Sequence, residues 1–537
     1  MSTSMKRLIL AYPPYSTATA PPMGVFFLKG FLAKALPDWS VKVLDLNLLA
    51  HQEVLSDFAD KVCPGGEHLA ERLLAETAIS RAAEVFLGRH PREFYDRPDR
   101  YFLYTSLWNR IVPPRIVDLE RLQKAYRREV PMPERIQRHA ERVLREQPTM
   151  VGISICYTEQ LWAGLCLARE IKARANVPVI AGGTFFNTTD PAFLATLTPH
   201  VDYVVSGEGE SPLAQILSGT ADLEKAPGVI CLARGQRAAA TAAVPQENLD
   251  LLGEADYSDA DLRAYYSPLP VLPIFTSRGC YWRRCAFCAH YKSAGQTYRR
   301  RSIDNVMKEL RRHVANGVHH FCLIDEMIAP AQFSQLADAI LQSGLAVYYY
   351  AMTKPVRQFS PELLDKMYRS GCRYLLWGVE SGSQRILDLM DKGTRVPDIE
   401  TVLDAAVEAG IRNHVFVMFG FPTETKWEMQ ATLDLLARHK AAIAMVHRGP
   451  FQLEPNTPAF DHPDKFSITR AWPAETLGVY RFECSSGMTR PEVQEAFKQN
   501  IPFLRSFGSP VPELGDFRFR DHLLLLYSKP AVASPNQ

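Results

Sequence analysis

Three cysteines, Cys280, Cys285 and Cys288, fall inside the stretch Thr276-Ser-Arg-Gly-Cys-Tyr-Trp-Arg-Arg-Cys-Ala-Phe-Cys288. Three thiols this close in sequence and shared by one centre require an irregular loop, so the fold around them must be built to hold a loop. Thiolates so spaced wrap one face of an iron–sulfur cube and leave one of its four irons without a protein ligand. An iron with an open site takes a substrate or cofactor, which turns an electron carrier into a catalyst. Pro273 to Ser277 reads as a short buried strand ending at Arg278-Gly279. The loop therefore sits at a strand's C-terminal end, where β/α barrels keep their chemistry. Tyr281, Trp282 and Phe287 interleave with the cysteines and would keep water from the sulfurs, although each also reads as ordinary core. Two alternatives stand beside the cluster. A zinc site needs a fourth ligand, for which only His290 and Cys322 are near, and no second Cys-x2-Cys knuckle follows. A disulfide with a spare thiol suits a secreted chain, and no secretory signature is evident here.

Downstream, strand and helix patterns alternate with the spacing of a parallel barrel. Ser302 is a candidate N-cap for a helix that carries Val306, Leu310 and Val314 on one face and stops near Gly317. His320-Phe-Cys-Leu-Ile-Asp325-Glu326 reads as a second buried strand ending in two carboxylates. Further strands are expected at Leu345–Ala351, Tyr374–Glu380 and His414–Gly420, and a sixth near 443–447. A generic α/β domain predicts the same alternation but not a polar group at each strand end.

The cysteine motif and these strand ends resemble the radical S-adenosylmethionine (SAM) enzymes. Their usual motif is Cys-x3-Cys-x2-Cys with an aromatic before the last cysteine, here Phe287; this chain has one residue more in the first gap. Gly378-Val-Glu-Ser-Gly-Ser-Gln384 resembles the family's fourth-strand segment, which assigns Gly378, Glu380 and Ser381 to the SAM ribose or amino acid. Asp325 and Glu326 stand where the family contacts the methionine ammonium, and strand alternation leaves open which of the two points inward. Gly420-Phe-Pro-Thr-Glu-Thr425 resembles the segment near the adenine. The resemblance implies a partial (β/α)6 barrel, a [4Fe–4S] cluster on Cys280, Cys285 and Cys288, SAM on the unique iron, and a 5′-deoxyadenosyl radical made by one-electron cleavage of the sulfonium.

The N-terminal half reads as a doubly wound parallel sheet, with strands at 6–12, 39–46, 151–155, 177–183 and 201–206 and a helix at 24–35. Ligands of such sheets bind at strand C-termini, which places Gly182, Gly183, Gly207 and Glu208 at the productive edge. Tight strand–helix turns explain the same glycines. Pro13-Pro14, Gly182-Gly183 and Gly207-Glu-Gly-Glu210, standing ahead of the cysteine loop, resemble the cobalamin-binding subclass of the family. That likeness spans roughly residues 5–50 and 148–460. Asp-x-His-x-x-Gly is absent, so no histidine is offered to cobalt; the subclass commonly lacks it and binds cobalamin without a protein ligand. A domain that keeps the fold without the cofactor is the competing reading.

The expected organisation is a cobalamin-binding-like domain over 1–220 with a helical insertion at 51–146, a connector at 221–268 with a small hairpin near Gly228–Ala240, a radical SAM barrel over 269–450 and a C-terminal cap over 451–537. The insertion's charge pattern reads as solvated helix faces, and part of a lid over the substrate is the alternative reading, carried by the aromatics from Phe94 to Trp108. Phe482–Gly487 and a strand-like Phe517–Tyr527 belong to the cap, Cys484 is a candidate radical or ligand position, and the last eight residues are expected to be disordered. Length, 537 residues, allows two or three domains, and the balance of 61 Lys and Arg against 59 Asp and Glu gives no electrostatic case for nucleic acid or a membrane. Ten cysteines suit a reducing cytoplasm. By resemblance the reaction is cobalamin-dependent methylation of an unactivated carbon, with a small-molecule or peptide substrate and a flavodoxin or ferredoxin as electron donor. Radical rearrangement, cyclisation or oxidation without methyl transfer is the alternative, and a non-catalytic cluster-binding protein is the alternative of another class.

Overall fold

The computed structural model describes residues 5–60, 69–187, 200–219, 222–223, 226–232, 248–290, 297–474, 479–507 and 519–529. They form two compact units, one of residues 1–94, 103–268 and 293–295, the other of 95–102, 269–292 and 296–537.

The first unit is built on β1 (Lys6–Tyr12), β2 (Trp39–Asp45), β3 (Met150–Ser154), β4 (Val179–Gly182), β5 (Tyr203–Val205) and β6 (Val229–Cys231). Their order is β2-β1-β3-β4-β5-β6. The first five are parallel, as the sequence pattern predicts, because Leu8 to Ala11, Val151 to Ile153 and Val179 to Ala181 are apolar runs buried on both faces. The order reverses between β1 and β3, as in doubly wound sheets whose ligands bind along the C-terminal edge of the strands. In the first half of the hairpin expected in the connector, β6 pairs antiparallel with β5 and is the last strand of the sheet among the described residues. Its apolar Val229 and Ile230 find a partner in the larger sheet, which buries more than an isolated two-stranded ribbon does. The second half of that hairpin lies outside the described residues.

Between β2 and β3 the chain is helical, at Leu46–Asp60, Leu69–Phe86, Pro91–Asp96, Pro98–Ile116, Leu119–Tyr126 and Glu134–Arg145. The aromatics here form an inner, buried stripe. Phe94, Tyr101 and Trp108 are almost fully buried, and the Trp108 ring lies 4.9 Å from Tyr266 and 5.4 Å from Phe86. Charged residues on the outer helix faces masked that inner stripe in the sequence.

Gly183 follows β4 at φ +110, where a Cβ would run into the backbone of Ile155. Backbone geometry alone requires glycine there. Gly183→Ala is expected to cost about 2–3 kcal/mol, as strained backbone substitutions do, and to lower the melting temperature of the chain purified without corrinoid. At Gly182 the nearest atoms to a Cβ are 3.6 Å away, so local packing leaves room.

The second unit opens with β7 (Val271–Ile274), β8 (Ser277–Arg278) and β9 (Arg299–Arg300), then β10 (His320–Leu323), β11 (Tyr348–Thr353), β12 (Cys372–Glu380), β13 (Arg412–Phe419) and β14 (Ile443–Pro450). Six of these form one sheet in the order β14-β13-β12-β11-β10-β7, every neighbour parallel, while β8 and β9 pair separately. This is the partial barrel expected. The Ser302 hydroxyl caps the Ile303–Ala315 helix through Asn305 N.

Beyond the barrel, β15 (Ile468–Pro473) and β16 (Tyr480–Cys484) form an antiparallel pair. The strand expected at Phe517–Tyr527 is instead a helix, Arg520–Tyr527; residues 517 and 518 lie outside the described set, as do 530–537. A short apolar run such as Leu523-Leu-Leu525 is buried equally well as a strand or a helix, and periodicity does not separate them. The helix spans the N-terminal ends of the barrel strands. Tyr374 Oη donates to Arg520 O at 2.8 Å, Tyr350 Oη to Asp521 at 2.8 Å, and His320 and His414 meet Ser528 and Tyr527 at 3.0 and 3.1 Å. Above these contacts Tyr350, Tyr374 and His414 stack at centroid distances of 4.5 and 4.6 Å. The barrel is therefore filled at its N-terminal end and keeps its chemistry for the opposite one.

Candidate active site

The cysteine loop leaves β7 on a rigid footing. Asp325, at the end of β10, accepts from Thr276 N at 2.9 Å, Thr276 Oγ1 at 2.9 Å and Ser277 Oγ. Gln332 Nε2 donates to the Thr276 hydroxyl at 2.7 Å and its carbonyl at 3.1 Å. Arg301, fully buried in an ion pair with Glu309 at 2.6 Å, donates to Phe275 O. Farther along, Ala286 N donates to Met390 O and Ala286 O accepts from Ala459 N, so the backbone between Cys285 and Cys288 is clamped from both sides. Ala286 lies in an apolar cluster with Ile386, Phe421, Phe451 and Phe466, and Cys484 packs against that same cluster as a half-buried side chain.

The three thiols are neighbours. Burial raises Cys285 and Cys288, the latter to about 12, and the nearby thiols push the same way, while Lys392 opposes them. Such thiols ionise only against strong positive charge, which a metal cluster supplies. Among the described residues no three His, Cys, Asp or Glu side chains close around a point as ligands of one bare ion. A cubane places each thiolate on a different iron and so needs a wider triangle than a single ion does. His290 is exposed and Cys322 is buried against the barrel interior. All nine described cysteines are free. The donor set, its burial and its aromatic cover fit a three-thiolate cluster better than zinc.

Beside the thiols stands an arrangement that sequence reasoning did not find. Lys392 Nζ meets Glu380 at 2.7 Å with both side chains buried, and a Cβ at Gly378 would come within 2.6 Å of that nitrogen. Burial works against the charge on Lys392, yet Glu380 holds the ammonium above the usual lysine range. Lys354, just past β11, donates to Lys392 O at 2.9 Å and lies 3.3 Å from the centroid of the Trp282 ring. Burial and then the Lys392 charge bring Lys354 down to about 7. Glu380 sits at φ +66, and the β12–β13 register shifts between Gly378 and Glu380. This strained bulge re-aims the carboxylate toward Lys392 and the end of the barrel, a device common at functional sites. Nothing in the sequence spacing around Lys392-Gly393 marks it as part of a site.

A cavity of about 490 Å³ opens at the C-terminal ends of β12, β13 and β14. Phe287, Glu380, Phe416, Met418, His447 and Arg448 line it, and Phe416 and His447 stack at 4.8 Å. The volume suits a cofactor-sized ligand, and apolar walls with a few charged groups are the usual composition of such sites.

Of the residues expected at this site, Phe287 and Glu380 face the cavity, and Gly378 makes room for Lys392. Ser381 does not reach it: its hydroxyl is fully buried, 3.3 Å from Thr432 Oγ1, and accepts from Ser383 N. It shapes the strand–helix turn. Asp325 spends both oxygens on the loop base, whereas Glu326 Oε2 has no hydrogen-bond partner among the described residues. Burial, then Asp325, raises Glu326 to about 8. Its unfolded carboxyl ionises near 4.5, so between those values the folded form binds more protons, and its contribution to stability falls as pH rises from about 4.5 to about 8. Glu326→Gln should therefore raise the melting temperature at pH 8 while leaving it little changed at pH 4.5, as paired thermal melts would read. In the first unit Gly182, Gly183, Gly207 and Glu208 all stand at the C-terminal ends of β4 and β5, and Gly207 N donates to Asn187 Oδ1 at 2.6 Å.

Comparison with known proteins places two domains on this chain. The radical SAM superfamily model matches residues 274–436 and the B12-binding domain model residues 125–217. An uncharacterized methyltransferase of Pyrococcus horikoshii is 26% identical over 302 residues, covering 55% of this chain and 65% of its own length. Bacteriochlorophyllide d C-12(1)-methyltransferase of Chlorobaculum tepidum is 27% identical over 300 residues, covering 54% and 60%. The chain thus spans less than two thirds of either relative. Among solved structures, the cobalamin-dependent SAM radical enzyme OxsB with aqua-cobalamin and SAM bound covers 97% of this chain and 72% of its own at a TM-score of 0.64 and 14% identity, a likeness of fold.

Proposed function

With a B12-binding domain and a radical SAM domain in one chain, we propose that the protein is a cobalamin-dependent radical SAM enzyme that methylates an unactivated carbon. The observation that carries the reading is the clamped loop of three neighbouring thiols at the open end of a six-stranded parallel barrel, beside a cofactor-sized cavity. Cys280, Cys285 and Cys288 hold a [4Fe–4S] cluster. Bound there with SAM, the cluster supplies a 5′-deoxyadenosyl radical, and cobalamin supplies a transferable methyl group.

This chain's residues do the positioning. Phe287 covers the cluster face toward the cavity, and Glu380, fixed by Lys392, accepts from the hydroxyl or amine groups of SAM. Glu326, whose free oxygen lies one residue past the loop's anchor, accepts from the methionine ammonium; Asp325 holds the loop instead. The Phe416–His447 pair and Met418 give the cavity a dry wall, which keeps solvent from a reactive carbon. In the first unit the β4 and β5 ends, with Gly182, Gly183, Gly207 and Glu208, form the edge for the corrinoid. Substrates are small molecules or peptides, and a flavodoxin or ferredoxin supplies the electron.

The test is anaerobic incubation with SAM carrying a labelled methyl group, cobalamin and a low-potential reductant. Formation of 5′-deoxyadenosine and transfer of label to the corrinoid are expected. Deoxyadenosine without label transfer would replace methylation by rearrangement, cyclisation or oxidation; neither product would overturn the reading.

A further inference from the structure

Lys392 and Lys354 bring two ammonium groups to the thiol loop, yet only one carboxylate answers them. Lys392 is spent on Glu380, making a buried pair with no net charge. Among the described residues no carboxylate lies within ion-pair distance of Lys354. What holds it is the Lys392 carbonyl at 2.9 Å and the π face of Trp282 at 3.3 Å. Trp282 is itself fixed: its Nε1 donates to Asp391 O, and Arg284 stacks 5.0 Å from its ring while pairing with Asp391 at 2.9 Å. Trp282 lies between Cys280 and Cys285 in the loop. Lys354 therefore cannot swing to solvent without giving up a carbonyl and an aromatic face, and its amine is held against the cysteine loop, where a negatively charged cluster favours its protonated form. The electrostatic influence of Lys354 on Cys285 supports the same placement.

We propose that Lys354 is a positioning residue for electron entry: held on Trp282, it stabilises the reduced state of the cluster and sets its reduction potential. The inference rests on the cluster assigned above. One electron enters the cluster from the external donor, so the reduced cluster carries one more negative charge than the oxidised one. A fixed cation nearby favours that state, and more so in a water-poor loop than in bulk solvent. The Lys392–Glu380 pair, neutral as a unit, has a much smaller effect.

The measurement is a mediator redox titration of the reconstituted full chain, followed by the electron paramagnetic resonance signal of the reduced cluster, with iron content determined for every sample. Lys354→Met is expected to lower the ratio of reduced to oxidised cluster at a fixed potential about tenfold, ~59 mV for one electron. Lys354→Arg should keep the wild-type midpoint, and the double variant Lys392→Met with Glu380→Gln should stay near it. Lys354→Gln is the second neutral variant if the methionine form does not load. A neutral variant with full iron and an unchanged midpoint overturns the proposal. Failure of both neutral variants to load while the arginine variant loads also overturns it, because the charge then serves assembly rather than potential. A wild-type protein without iron instead overturns the functional reading itself.

Discussion

Lys392→Met should destabilise the second unit by about 3–5 kcal/mol, the usual cost of removing one partner from a buried ion pair, with a fall in melting temperature on the order of 10 °C. The reason is local. Glu380 is confined by a strained backbone at φ +66 and by its closeness to Gly378, so the mostly buried carboxylate cannot swing away when its partner is lost. The carboxylate must then take up a proton or remain buried and unpaired, and both cost free energy. Lys392→Met combined with Glu380→Gln should recover most of the loss, since it leaves no buried charge. A double-mutant cycle by thermal or denaturant melts measures the coupling. If the single variant melts within 2 °C of wild type, roughly the shift expected for less than 1 kcal/mol, the pair is not the buried unit described.

Cys285→Ala should abolish reductive cleavage of SAM altogether. Cys285 is the most enclosed of the three thiols, and the residue after it is pinned by hydrogen bonds to Met390 and Ala459. With two thiolates left, a cube would have two irons exposed, and the loop cannot move another donor into place. His290 is exposed, and Cys322 is buried within the barrel strand β10. The readouts are iron content and 5′-deoxyadenosine formed under excess reductant, both expected at background. Cleavage within tenfold of wild type would mean that the cluster is held elsewhere.

The barrel and the doubly wound sheet were legible because their strands are apolar runs closed by glycines, and the alternation of such runs with amphipathic helices admits few parallel topologies. The cysteine loop was legible because its ligands come from one short segment. What escaped depends on tertiary contact. Lys392 and Lys354 are separated by 38 residues and become partners only through the backbone carbonyl of one and the ring of Trp282. Ser381 looked like a ligand residue because its motif carries one, but the turn rotates its hydroxyl into Thr432. The helix at Arg520–Tyr527 was read as a strand because burial on every side erases the period that separates the two. The choice between Asp325 and Glu326 needed Thr276, Ser277 and Gln332, which reach the site from other elements.

Among the described residues no helix is long and apolar enough to cross a membrane. The most direct measurement is iron, sulfide and corrinoid content after anaerobic purification from cells supplied with cobalamin. Wild type is to be compared with a triple Cys280→Ala, Cys285→Ala, Cys288→Ala variant. Wild type is expected to hold about four irons and four sulfides, as one cube requires, together with about one corrinoid per chain, as a single B12-binding domain implies. The variant should lose the iron and sulfide and keep the corrinoid, because the two groups belong to different units. Iron in neither protein, or equal iron in both, would contradict the account.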